Sequence, residues 1–127
     1  LLLLLPIKIS SVSYHIEPII KEVSKYKNKK LLLAMIEVES NFNREAISKK
    51  NAKGLLQIRP SVWHKELKKQ GIVEKHSDYF TIKKNIKAGN YILMKYQKKY
   101  KGDNKKALRA YSGGSKNYYK KVMEKIK

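Results

Sequence analysis

The sequence contains no cysteine, so it can build neither a disulfide framework nor a thiolate metal site. That absence does not imply a reducing compartment, because an envelope protein can simply do without Cys. Acids are also scarce: 10 Asp and Glu stand against 30 Lys and Arg, for a formal charge of +20. Asp occurs only as Asp78 and Asp103, and Arg only as Arg44, Arg59 and Arg109, so the excess is carried by Lys. Proteins that read base edges lean on Arg, so no specific nucleic-acid partner is expected. A surface of this charge is drawn to polyanions in general, and anionic envelope polymers are the expected class. Long apolar runs are missing as well. Leu1–Leu5, ahead of Pro6, falls far short of the roughly 20 residues that a membrane helix needs. Two readings fit that run: the tail of a secretory signal's hydrophobic core, or an apolar segment packed on the domain. There is no glycine-rich phosphate loop and no nucleophile elbow. His15, His64 and His76 lack metal-ligand spacing with each other or with the acids. No cofactor and no metal are therefore expected.

What is present fits one domain. A chain of 127 residues can fill one core but not two. Residues 1–16 have no clear period and read as an N-terminal arm, leaving 17–127 as the folded unit. Ile19, Ile20, Val23 and Tyr26 recur at helical spacing up to a stop at Asn28. Lys29 to Ser40 continues as a second helix, and 41–54 is polar and turn-rich, with room for a short hairpin. Ser61 is a candidate cap for a helix through Trp63 and Leu67 to Gly71. Residues 72–80 read as a loop. Thr81 is a candidate cap for the longest helix, to about Tyr100, with Ile82, Ile86, Gly89, Leu93 and Tyr96 along one face. Short helices over Lys105–Tyr111 and Asn117–Ile126 close the chain around the Gly113-Gly114 loop. Helices joined by irregular loops predict an all-α or α-rich fold, and the chain is expected to act as a monomer.

The second helix holds the most informative residue. At about 100° per residue, Leu32, Met35, Ile36 and Glu39 share one face, so an apolar stripe ends in a carboxylate. Glu37 points the other way and reads as a solvated acid. A carboxylate on the buried side is costly unless paired or protonated. Desolvation would raise its pKa, as a general acid near neutral pH requires. The other reading is a boundary Glu whose stem covers the core while its head reaches water. No second acid sits beside Glu39 in sequence, which is awkward for glycoside hydrolysis by two carboxylates.

The residues after Glu39 add to this. The run ESNFNREAISKKNAKGLLQIRP, with Asn85-Ile86 and Gly89 and then Ala107-Leu108-Arg109-Ala110-Tyr111 before a Gly pair, resembles the signature of the soluble lytic transglycosylases. The three blocks occur in the family's order and cover most of the chain from Leu31 onward. The resemblance implies a lysozyme-like domain of two helical lobes divided by a cleft, with at most a small hairpin. It implies an enzyme of the periplasm or cell envelope that acts on peptidoglycan strands. Glu39 would be the single catalytic acid and base, closing a 1,6-anhydro ring on the muramoyl sugar. Ser40, Ser48, Leu56, Gln57, Tyr111 and Tyr118 would line the substrate path, with Leu56 replacing the family's usual Met. Asn51 stands where the family has Gly and would need a left-handed backbone. Ser112 stands where it has Asn, and Ile92 where it has Tyr. The rival readings are a goose-type lysozyme-like hydrolase and a catalytically weak wall-binding module. Small transglycosylases of this kind also suggest a secretion or conjugation machine as partner, although no residue here points to one.

Overall fold

The computed structural model describes residues 15–126. The expectations for Leu1–Leu5, and for the arm before His15, lie outside the described residues. The chain is already helical at 15, in α1 (15–23), which ends earlier than its apolar spacing suggests: Ser24 donates to the Lys21 carbonyl at 2.6 Å, and turns lead to Asn28. Then come α2 (Lys29–Ser40), α3 (Pro60–Lys69), a 3-10 turn (His76–Phe80), α4 (Ile82–Lys99), α5 (Asn104–Tyr111) and α6 (Tyr118–Glu124). The fold is all-α, as expected. β pairing among the described residues is confined to isolated antiparallel bridges, Ile47 with Lys53 and Lys53 with Ile58. A hairpin does not form there, because left-handed residues at Asn51, Gly54 and Gln57 fold the segment into successive tight turns.

Helix starts follow their chemistry. Thr81 caps α4 by accepting from the Lys84 N–H at 3.2 Å, and Asp103 caps α5 through Lys106 N–H at 3.1 Å. The expected cap at Ser61 is corrected: α3 starts at Pro60, whose fixed φ and missing N–H suit a first helical position. The expected loop over 72–80 contains the 3-10 turn, organised by Asp78, whose carboxylate accepts from Glu74 N–H (2.8 Å) and Lys75 N–H (3.1 Å).

The core gathers the apolar faces of α1, α2 and α4 with Leu55, Leu56, Ile58, Leu67, Leu108 and Val122. Leu32, Met35 and Ile36 on α2 are fully buried, each stabilising by about 1.5–3 kcal/mol. Helix α4 packs on α5, α2 on α6, and α5 on α6. Glu37 is not simply solvated: its carboxylate pairs with Lys125 Nζ at 3.1 Å and ties α2 to the chain's end. This packing places the last turn of α2 beside the 46–58 loop and the ends of α5 and α6.

Candidate active site

Glu39 is the next-to-last residue of α2, and the chain turns sharply behind it. Asn41 and Phe42 both take left-handed conformations, at φ 49° and 64°. For Phe42 that is a strained choice, held in place because its ring packs on the core. The turn leaves Glu39 at the wall of a cleft of about 350 Å³, whose lining also includes Ser48, Lys50, Gln57, Arg59, Trp63 and Tyr111.

Burial drives the pKa of Glu39 up to about 7; the nearby Tyr118 hydroxyl pulls it back in part. That hydroxyl is itself buried and has no partner within hydrogen-bond geometry, so it moderates the acid without bonding it. No cation offsets the desolvation. Of the described acids that are not exposed, Glu22, Glu37, Glu66 and Asp78 each form a salt bridge, with Lys25, Lys125, Lys95 and Lys84. Glu39 alone among them has none. In a chain with 30 cations, an acid so placed stays protonated close to neutral pH and can give up a proton there.

The loop opposite Glu39 is pinned by a buried amide. Asn85, on α4 and fully buried, donates to the carbonyls of Lys53 (2.9 Å) and Tyr79 (2.7 Å) and accepts from the Leu56 N–H (2.8 Å). Gly54 makes this possible: at φ 77° it lies so close that a Cβ would strike the Tyr79 carbonyl and the Asn85 amide. Gly89 likewise leaves room for the Leu56 side chain. Tyr111 adds a bond across the cleft floor, its hydroxyl donating to the Leu56 carbonyl at 2.8 Å, and its ring lies parallel to Tyr118 at 6.4 Å. Burial, with Glu39 nearby, raises the pKa of both phenols, so each keeps its proton.

The expected site residues fall into two groups. Glu39, Ser48, Gln57 and Tyr111 line the cleft together. The Gln57 amide nitrogen donates to the carbonyls of Ala46 (3.2 Å) and Gly54 (3.0 Å), an arrangement that fixes the amide and leaves its oxygen free to accept. Ser48 Oγ accepts from the Ala52 N–H at 3.0 Å and keeps its own proton to donate. Ser40, Leu56 and Tyr118 are not part of the lining. The Ser40 hydroxyl donates to the Ile36 carbonyl at 3.0 Å, closing the helix end. Leu56 is a core residue that serves the site through both of its backbone groups. Tyr118 is buried near Glu39, without a hydrogen bond to its carboxylate. Asn51 has the left-handed backbone its position demands, at φ 62°.

Sequence reasoning missed the roles of Asn85, Lys50, Arg59 and Trp63. A signal existed for Asn85, an amide amid the apolar face of α4; the others carry no pattern that separates them from ordinary surface residues. Trp63 is braced rather than loose. Tyr96 meets it edge-on at 6.0 Å, and Lys95 lies over its ring at 5.5 Å while salt-bridged to Glu66 at 2.6 Å. Tyr91 also donates to Glu66, at 2.6 Å.

A family model for the transglycosylase SLT domain matches residues 17–126, which takes in the whole cleft. The chain belongs to the transglycosylase SLT domain family. Its helical architecture is the lysozyme-like one of that family, and this is a peptidoglycan-acting domain of the lytic transglycosylase kind. No solved structure matches the chain. Among the described residues of this SLT domain, no group of three or more His, Cys, Asp or Glu side chains could hold a metal ion. No described helix is long and apolar enough to cross a membrane.

Proposed function

We propose that this SLT domain is a lytic transglycosylase that cleaves the β-1,4 bond between N-acetylmuramic acid and N-acetylglucosamine, with Glu39 as both acid and base. One observation carries the reading: Glu39 is the single carboxylate in the cleft lining, and the only described non-exposed acid without a cation. The neutral Glu39 gives its proton to the glycosidic oxygen as the bond from C1 breaks. The carboxylate then takes the proton of the muramoyl C6 hydroxyl, whose oxygen bonds to C1 and closes the 1,6-anhydro ring. Proton and electron count balance within the sugar and Glu39, so neither water nor a cofactor is consumed. A single acid suits this route better than a hydrolysis that needs a second carboxylate to activate water or attack the sugar. The free Gln57 oxygen and the Ser48 hydroxyl supply an acceptor and a donor for the substrate's acetamido and hydroxyl groups. Such an enzyme works in the periplasm or cell envelope, and its substrate is the glycan strand itself.

Mass spectrometry of a digest of purified peptidoglycan tests this. Anhydro-muramoyl ends are expected. Reducing ends instead would make the protein a hydrolase of the same fold, and binding without soluble fragments would make it a wall-binding module.

A further inference from the structure

Two cations in the cleft have no task in the chemistry above. Arg59 and Lys50 both line it, and both are exposed. Neither forms a salt bridge among the described residues, in contrast to Lys95, which stands behind the cleft-lining Trp63 and is committed to Glu66. Arg59 is held at the N-cap of α3, and its side chain makes no cap bond, so the guanidinium is free to face the cleft. Lys50 sits in the turn that Ser48 and Asn51 close, where Asn51 N–H donates to the Ser48 carbonyl at 2.9 Å. The two therefore come from separate, locally fixed segments that line the same cleft. Catalysis at C1 needs no positive charge there, and a cation beside Glu39 would tend to ionise the acid. A neutral sugar chain would leave both charges unanswered.

We propose that Arg59 and Lys50 form a carboxylate-binding pair that recognises the acidic substituent of the muramoyl residue. This rests on the peptidoglycan reading above and deepens it. Muramic acid differs from glucosamine by a lactyl ether that ends in a carboxyl group. In stripped strands that acid is free; in intact ones it is joined to a stem peptide that carries carboxylates of its own. Arg presents a planar fork that matches a carboxylate in two hydrogen bonds, and Lys adds a point charge. The pair thus reads the one feature that distinguishes the sugar to be cleaved from its neighbour.

The test measures binding, so it does not need turnover. Soluble strands are prepared in three forms: with stem peptides, stripped to the free lactyl acid, and stripped then amidated to neutrality. Dissociation constants are taken by calorimetry at fixed salt, with Glu39→Gln protein to prevent cleavage. At least one acidic form is expected to bind roughly tenfold tighter than the neutral one, as two charge-assisted contacts allow. Tight binding of stripped strands assigns the lactyl acid, and of peptide-bearing strands alone assigns the stem. Arg59→Gln with Lys50→Gln should abolish the difference, and Arg59→Lys with Lys50→Arg should retain most of it. Lys83→Gln with Lys87→Gln, an equal loss of charge on the exposed face of α4, should leave it whole. Equal or absent binding of all three forms overturns the proposal, as does discrimination that survives Arg59→Gln with Lys50→Gln or vanishes with the α4 control. Cleavage is read separately: wild-type protein that yields no anhydro ends would overturn the transglycosylase reading and leave the carboxylate site standing.

Discussion

Two of the acids shielded from solvent in this protein, Asp78 and Glu39, respond in opposite ways. Asp78, in the 3-10 turn, is pushed down to about 2, chiefly by the backbone N–H groups of Glu74 and Lys75, with Lys84 at 3.2 Å adding to them against the cost of burial. Glu39, at the end of α2, is pushed up to about 7, because burial is opposed only by the nearby Tyr118 hydroxyl. One carboxylate is surrounded by donors and fixes a loop; the other is kept from them and holds a proton. The contrast shows how a chain of net charge +20 keeps one acid unpaired. Among the described residues no N–H cluster is aimed at it, and no Lys or Arg, the cleft-lining Lys50 and Arg59 included, forms a salt bridge with it.

Substitutions should separate the two acids. Glu39→Gln is expected to lower cleavage of isolated sacculi, followed by turbidity, by roughly 10²–10⁴-fold, the usual worth of a general acid. Glu37→Gln, which costs only the surface pair with Lys125, should change it little. A folded Glu39→Gln protein with near wild-type activity would remove Glu39 from the mechanism. The same substitution should stabilise the fold in alkali. Glu39 binds its proton more tightly folded than unfolded, so stability is favoured below its ordinary 4.5 and lost as pH rises through about 7. Denaturant melts above about pH 8 should show Glu39→Gln more stable than wild type by about 1–3 kcal/mol, with the gap closing in acid. The wild-type rate should fall over the same alkaline range, as the acid loses its proton.

Asp78→Asn is expected to do the reverse: lower the melting temperature at neutral pH and leave the turnover of the folded protein intact. Its stabilisation is present above the ordinary 3.8 and lost as pH falls through about 2, so wild type and variant should converge in strong acid. Loss of cleavage at unchanged stability would overturn that assignment. Tyr111→Phe removes the bond to the Leu56 carbonyl, so it should cost about 1 kcal/mol of stability and reduce turnover more than binding as the cleft floor loosens. Unchanged turnover would make Tyr111 a packing residue alone. The smallest effect is expected for Tyr118→Phe. Without the hydroxyl that moderates Glu39, the alkaline limb of the rate profile should move upward by a fraction of a pH unit, and a downward move would contradict the arrangement.

Much of this was legible in the chain. The apolar stripe of α2 ends in Glu39 because helical periodicity is local, and Leu32, Met35 and Ile36 do face the core. The cap at Thr81 was readable for the same reason, since it depends on residues within a turn of itself, and the left-handed backbone at Asn51 was expected from the family resemblance. Less local features were misplaced. A hairpin gave way to isolated bridges, because tertiary bonds from Asn85 hold 53–56 in its own turns; the start of α3 moved from Ser61 to Pro60 for the local reason that proline suits a first helical position.

The sequence by itself determined that this protein is helical, lysine-rich and built around a single well-placed Glu, because periodicity, charge and the spacing of the three blocks are properties of the chain. Only the tertiary structure decided what surrounds that Glu. Tyr118 follows it by most of the chain and still lies near it, Tyr111 bonds Leu56 rather than the acid, and Arg59 and Lys50 come to line one cleft. A pKa depends on which groups lie within a few ångströms and on how much water is excluded. Both are fixed by contacts between segments far apart in the chain.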